Sequence, residues 1–155
     1  MNITIEDLST ITKEVLTAVA GLTPTESSAP TRASTDQWLT GKIQINGKSS
    51  SELVLTCTAP LAARLAAAFF GETVSEEESD DATCALLELT NIMAGHVNAL
   101  MAAPSRITLP QIEETVTSDP SATEEPPELL AAYTCDGEAL VVTLRQVAPG
   151  RGLPT

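Results

Sequence analysis

The sequence has few aromatic and few basic residues. One Trp, one Tyr and two Phe are its only aromatic residues, so the core must consist mainly of Leu, Val, Ile and Ala. Eight Lys and Arg stand against 21 Asp and Glu, which gives a net charge of −13 at pH 7. This charge repels phosphates, and therefore disfavours nucleic acid and anionic membranes as partners. It is compatible with a protein partner that has a basic rim.

Cysteine and histidine are also scarce, and long apolar runs are lacking. The three cysteines are widely separated and form no C-x-x-C pair, which favours reduced thiols in a cytosolic protein. The cysteines and the single histidine lack the spacing of a zinc site, so no metal site is expected. These residues are Cys57, Cys84, Cys135 and His96. The acidic stretch 1–7 is unlike a signal peptide, and no stretch is long enough to span a membrane; a cytoplasmic protein is predicted.

The length and the 43% hydrophobic fraction predict one domain over residues 1–155. Apolar residues at helical spacing predict a first helix over 5–20, with Thr4 as its cap and Gly21 at its end. Pro60 and Gly71 bound a second helix that is rich in Ala and largely buried. A third and longer helix follows the acidic stretch after Gly71.

Strand patterns occur before the second helix and after the third. The predicted strands are 38–45, 52–58, one or two within 107–116, 129–135 and 138–147. Asn46-Gly47 and Asp136-Gly137 are hairpin signals. Residues 24–35 and 117–128 are predicted to be flexible connections, and 149–155 a tail. Because the strands are grouped, the predicted fold is α+β, with three helices on an antiparallel-rich sheet of about six strands.

The third helix, predicted over 80–101, has two distinct faces. A core stripe at helical spacing comprises Leu86, Leu89, Thr90, Met93, Val97, Leu100 and Met101. The other side comprises Cys84, Glu88, Asn91, Gly95, Asn98, Ala99 and Ala102. Glu88 and Asn91 are three residues apart, so they are neighbours on the helix surface. Both are therefore predicted to be exposed.

The neighbours of Glu88 and Asn91 are mostly small, so that a partner surface could approach the pair closely. Ile92, with Ala85 at the edge, is expected to add apolar contact area beside it. On spacing alone, a Glu and an Asn on the polar side of a helix are usually just solvated, and this interpretation is favoured by a wide margin. Asn is a poor helix former, which suggests that Asn91 has a role other than supporting the helix.

Residues 88–95, Glu-Leu-Thr-Asn-Ile-Met-Ala-Gly, resemble the Glu-x-x-Asn helix of the CheC/CheX family of chemotaxis phosphatases. Residues 63–72 are similar to the preceding helix of that family, which ends in a Phe-Gly-type turn. The order of elements agrees from about residue 5 to 147. The family often has Asp or Ser four residues before the Glu, where this chain has Cys84.

The resemblance implies dephosphorylation of a response-regulator receiver, CheY. It implies catalytic roles for Asn91, which would hold the attacking water, and for Glu88, which would dock on the receiver. Cys84, Ile92 and Gly95 would contact the partner. No cofactor is expected on this chain, since the receiver would supply Mg²⁺. The resemblance also implies a homodimer.

Two other functions remain open at this stage. The same fold could serve as a non-catalytic receiver-binding or flagellar-switch adaptor. The helix could also be a solvated face of a scaffold with another role. Phosphate release and binding to a phosphorylated receiver distinguish these functions.

Overall fold

Three helices and seven strands make up the part of the chain that the computed structural model describes. That part comprises residues 3–27, 37–47, 50–71, 79–101, 106–116, 128–135 and 137–147. The helices are α1 (Ile5–Val15, continued by a π-helical turn, Leu16–Ala20), α2 (Ala59–Phe70) and α3 (Ser79–Ala99). The strands are β1 (Thr25–Ser27), β2 (Gln37–Asn46), β3 (Ser50–Thr58), β4 (Arg106–Ile107), β5 (Gln111–Val116), β6 (Leu129–Cys135) and β7 (Glu138–Val147).

The strands form one sheet in the order β1-β6-β7-β3-β2-β4, in which β5 also pairs with β2. All of these pairings are antiparallel. Strand β2 pairs with β3, and β6 with β7, as expected for strands that flank the two hairpin signals. The predicted α+β fold with three helices on an antiparallel-rich sheet is confirmed.

Strand β1 was not expected, because Thr25–Ser27 lies within the predicted flexible connection 24–35. It pairs with β6. From α1, Ser9 donates a 2.8 Å hydrogen bond to Glu26, and Lys13 forms a 2.9 Å ion pair with the same Glu26. The hydrogen bond from Lys13, and then that from Ser9, lowers the pKa of the Glu26 carboxyl. These three polar residues show no strand periodicity, so contacts from elsewhere in the chain decide their conformation.

Residues 28–35, 117–127, Asp136 and 149–155, on which other predictions fall, lie outside the described residues.

The ends of α1 follow from its capping residues. Thr4 and Asp7 form a reciprocal capping box, in which the backbone N–H of each donates a 3.1 Å hydrogen bond to the side chain of the other. Gly21 ends the helical segment in the left-handed conformation, at φ 65°. The predicted helix over 5–20 is confirmed, with a π-helical rather than an α-helical last turn.

The core lies between the helices and one face of the sheet. Helix α2 begins at the cap Thr58. As predicted, it has Pro60 in its first turn and ends at Gly71. It packs against α3, and α3 in turn lies mainly across β2. No helix among the described residues is both long and apolar enough to cross a membrane.

Candidate functional site

Helix α3 is continuous from Ser79 to Ala99 and buries one side against the sheet. The buried members of the predicted stripe are Leu86, Leu89, Thr90, Met93 and Val97. Met101 is only half-buried, and Leu100 is an exception, with 47% of its surface exposed. Its N–H already donates to the carbonyl of Val97, three residues back. The helix has ended there, so its periodicity no longer determines which side chains are buried.

Glu88 and Asn91 are both exposed on the side of α3 that faces away from the sheet, so the predicted exposure is confirmed. At a separation of three residues their Cβ atoms are roughly 5–6 Å apart. The carboxylate and the amide can therefore contact one partner surface together. The carboxylate can accept hydrogen bonds or pair with a cation, and the amide can both donate and accept.

The surroundings of the pair leave room for such a surface. Cys84 and Gly95 are exposed on the same side of α3, and Ile92 is half-buried beside them. Ala85 is not at the edge, as the helical spacing suggested, but completely buried. The side chain of Ala85 is a single methyl group, which extends less far from the helix than the side chains around it. The residues packed beside α3 therefore cover Ala85. The apolar area beside the pair is therefore supplied by Ile92.

The opposite side of the same turn contains a close contact between α3 and β2. Thr90 is fully buried, and its hydroxyl donates a 2.7 Å hydrogen bond to the carbonyl of Leu86 in the preceding turn. This hydroxyl lies directly over Gly41, in the middle of β2. A glycine inside a strand often marks a close approach by another segment. The expected strand 38–45 contained this signal, although the contact itself was not predicted.

The three cysteines have different environments. Cys57 and Cys135 are buried, and Cys84 is exposed on α3. Burial, together with the neighbouring Cys135, raises the pKa of the Cys57 thiol to about 12. Within the described part of the chain, no group of three or more His, Cys, Asp or Glu side chains is placed to hold a metal ion.

Thiol labelling tests this arrangement. A maleimide added to the folded protein at pH 8 is expected to modify Cys84 alone, because it requires an accessible thiolate and the other two thiols are buried. Peptide mass spectrometry locates the label, and Cys84→Ser, which should remain unlabelled, is the control. Modification of Cys57 or Cys135 before Cys84 would contradict the placement of these residues.

Gly95 allows a test of the exposed helix face. A Cβ atom added there meets nothing within 4 Å, and Ala is the better helix former. Gly95→Ala is therefore expected to raise the free energy of unfolding by about 0.5–1 kcal/mol, as measured by urea denaturation. Gly71→Ala is the matched control and should destabilise the protein, because Gly71 has a φ of 72°. A loss of stability on Gly95→Ala would mean that the space around this residue is filled.

Comparisons with known proteins agree with the fold and with the presence of this helix. The family model described as chemotaxis phosphatase CheX matches residues 39–120. This is more than half of the chain and includes α3 with Glu88 and Asn91. The fold is that of chemotaxis proteins of the CheX and CheC type. The chain belongs to the CheX family.

Solved structures of CheX proteins have the same fold. CheX from Desulfovibrio desulfuricans is 19% identical, with a TM-score of 0.74 over 94% of this chain and 100% of that one. CheX from Vibrio vulnificus is 14% identical, with a TM-score of 0.71 over 91% and 97%. A chain of the CheX–CheY–BeF3–Mg²⁺ complex from Borrelia burgdorferi is 17% identical, with a TM-score of 0.69 over 91% of this chain and 97% of that one. No match was found among curated protein sequences.

Proposed function

We propose that the protein dephosphorylates a CheY-like receiver domain, using Asn91 and Glu88. The observation that carries this proposal is the exposed Glu-x-x-Asn pair on α3, the helix through which the chain resembles its family. The existence of a CheX–CheY complex in Borrelia burgdorferi supports a CheY-like partner. The substrate is an aspartyl phosphate on that partner, which would place the reaction in the cytoplasm. A homodimer, which the resemblance implies, also remains a proposal.

This reaction suits a site with so few functional groups. Phosphoryl transfer depends mainly on positioning and on stabilisation of charge. The receiver contributes its own Mg²⁺ and lysine, so the missing element is a water molecule held in line with the phosphorus. The amide of Asn91 can donate one hydrogen bond and accept another, and can thus orient that water. No covalent intermediate forms on this chain.

Glu88 is proposed to dock on the receiver. Its carboxylate can form an ion pair with the receiver's lysine or with another cation at the rim. Such pairs act mainly on encounter and register. An acidic chain with a net charge of −13 would be attracted to a receiver with a basic rim. The small or half-buried neighbours Cys84, Gly95 and Ile92 would then contact the receiver around the pair.

A non-catalytic receiver-binding or flagellar-switch adaptor is the alternative. It is favoured by Cys84, which occupies the position where the family often has Asp or Ser, so that a carboxylate or a hydroxyl is missing beside Glu88. An adaptor would bind the phosphorylated receiver without shortening the lifetime of its phosphate.

Phosphate release separates the two functions. Receivers from the same organism are charged with acetyl phosphate and Mg²⁺, and release is followed with and without the protein. Catalysis predicts acceleration at protein concentrations far below that of the receiver. If the protein binds phosphorylated receivers but accelerates phosphate release from none of them, the adaptor is favoured. If it neither binds the receivers nor accelerates release, both proposed functions are contradicted.

A further inference from the structure

We propose that Gly41 and Thr90 are positioning residues of this site, because their contact sets how closely α3 lies on the sheet. The effect on catalysis rests on the proposed function, whereas the effect on the position of α3 does not. Gly41 lies in the middle of β2, with the larger Leu39 and Ile43 two residues away on the same face. It therefore forms a depression in the surface on which α3 packs.

The depression is filled from two sides. A Cβ atom added to Gly41 would overlap the Thr90 hydroxyl oxygen, and would lie 3.4 Å from Thr90 Cβ and 3.2 Å from Ile112 Cδ1. Ile112 is the residue paired with Gly41 on β5. The end of its side chain can move, but Thr90 is part of a helix. A side chain at position 41 would therefore have to displace α3 or to turn the Thr90 hydroxyl out of its hydrogen bond with the carbonyl of Leu86.

Thr90 is suited to a close contact that requires no polar partner on the strand. A buried hydroxyl without a hydrogen bond is costly, and this one is satisfied within its own helix by the carbonyl of Leu86. The same hydrogen bond holds the side-chain rotamer and can bend the helix locally. The contact with Gly41 is thus steric, and the hydrogen bond to Leu86 favours the present position of the hydroxyl.

This contact lies at the level of the proposed catalytic pair. Thr90 follows Glu88 by two residues and directly precedes Asn91, within about 3 Å along the helix axis. A displacement of the helix at Thr90 is therefore transmitted to both exposed side chains. Reactions that depend on positioning are sensitive to such changes, since a misplacement of about 1 Å can cost about a hundredfold in rate.

Gly41→Ala tests the inference. The rate of phosphate release at saturating receiver is expected to fall about ten- to a hundredfold, with a smaller change in the receiver concentration that gives half-saturation. The double variant Gly41→Ala/Thr90→Ala removes the overlapping hydroxyl and leaves the 3.4 Å separation from position 90 Cβ, an ordinary contact. It should recover most of the rate. An unchanged rate in Gly41→Ala, or no recovery in a folded double variant, would overturn the inference.

Two further measurements distinguish the inference from a general loss of stability and from a failure of the proposed function. Val142→Ala creates a cavity elsewhere in the core, on β7, and should lower stability without changing the rate at saturation. Crystal structures of the wild type and both position-41 variants should show α3 displaced around Thr90 in Gly41→Ala and returned in the double variant. If the wild type does not accelerate phosphate release, the proposed function fails, and the crystal structures alone decide the inference. An undisplaced α3 in Gly41→Ala would overturn it.

Discussion

Asn91→Ala is expected to abolish most of the acceleration of receiver dephosphorylation and to leave folding and much of the binding intact. The amide holds the attacking water, an interaction that stabilises mainly the transition state. Removing one such preorganised group typically costs on the order of a hundredfold or more in rate. The loss should therefore appear in the rate at saturating receiver. The measurement is phosphate release from a receiver charged with acetyl phosphate, titrated over receiver concentration.

Glu88→Ala should give a different kind of loss in the same titration. An exposed ion pair at the rim contributes up to about 1 kcal/mol, which corresponds to about a fivefold change in affinity. We therefore expect a higher receiver concentration at half-saturation and a rate at saturation that changes less. If both variants lose the same property to the same extent, the two side chains do not have separate roles.

Asn98→Ala is the matched control for Asn91→Ala. It makes the same substitution at a half-buried position on the same side of α3, about two helical turns away, and should retain the wild-type rate. Circular dichroism verifies that all variants keep the helix content of the wild type. If Asn91→Ala is as active as the wild type, the resemblance to the family has misled the assignment of the water-holding residue.

The sequence was sufficient to predict the elements that depend on local chemistry. The cap at Thr4 and the left-handed Gly21 and Gly71 defined helix ends, because each satisfies backbone groups at a terminus. Asp136-Gly137 predicted the hairpin between β6 and β7, where Gly137 has the positive φ, 83°, that such a turn favours. The exposure of Glu88 and Asn91 followed from helical periodicity alone.

Features that depend on distant contacts could not be predicted in this way. The polar strand β1 forms because it pairs with β6 and because Ser9 and Lys13 of α1 hold Glu26. The complete burial of Ala85 depends on what packs beside α3, and the exposure of Leu100 depends on where the helix ends. The contact of Gly41 with Thr90 joins residues far apart in the chain. Periodicity predicts the face of an element on which a residue lies, but not the residues of other elements that it contacts.

Met93→Ala is expected to have the largest effect on stability among the substitutions in α3. Met93 is only 1% exposed and belongs to the core between α3 and the sheet. Truncation removes buried apolar contacts and leaves a cavity, which typically costs about 2–5 kcal/mol. The free energy of unfolding, measured by denaturant melts, should fall by this amount. Intrinsic helix propensity cannot compensate, because Ala gains only a few tenths of a kcal/mol over Met in a helix.

Asn91→Ala serves as the control for this prediction, since it lies two residues away on the exposed side of the same helix. Its stability should be unchanged or slightly higher, because Ala is the better helix former and an exposed amide contributes little to packing. The two variants should therefore separate stability from activity: Met93→Ala loses stability, and Asn91→Ala loses the rate of phosphate release. If Asn91→Ala were instead the more destabilising change, α3 would have to be rotated about its axis. Glu88 would then also be turned toward the sheet, where it could not reach a receiver.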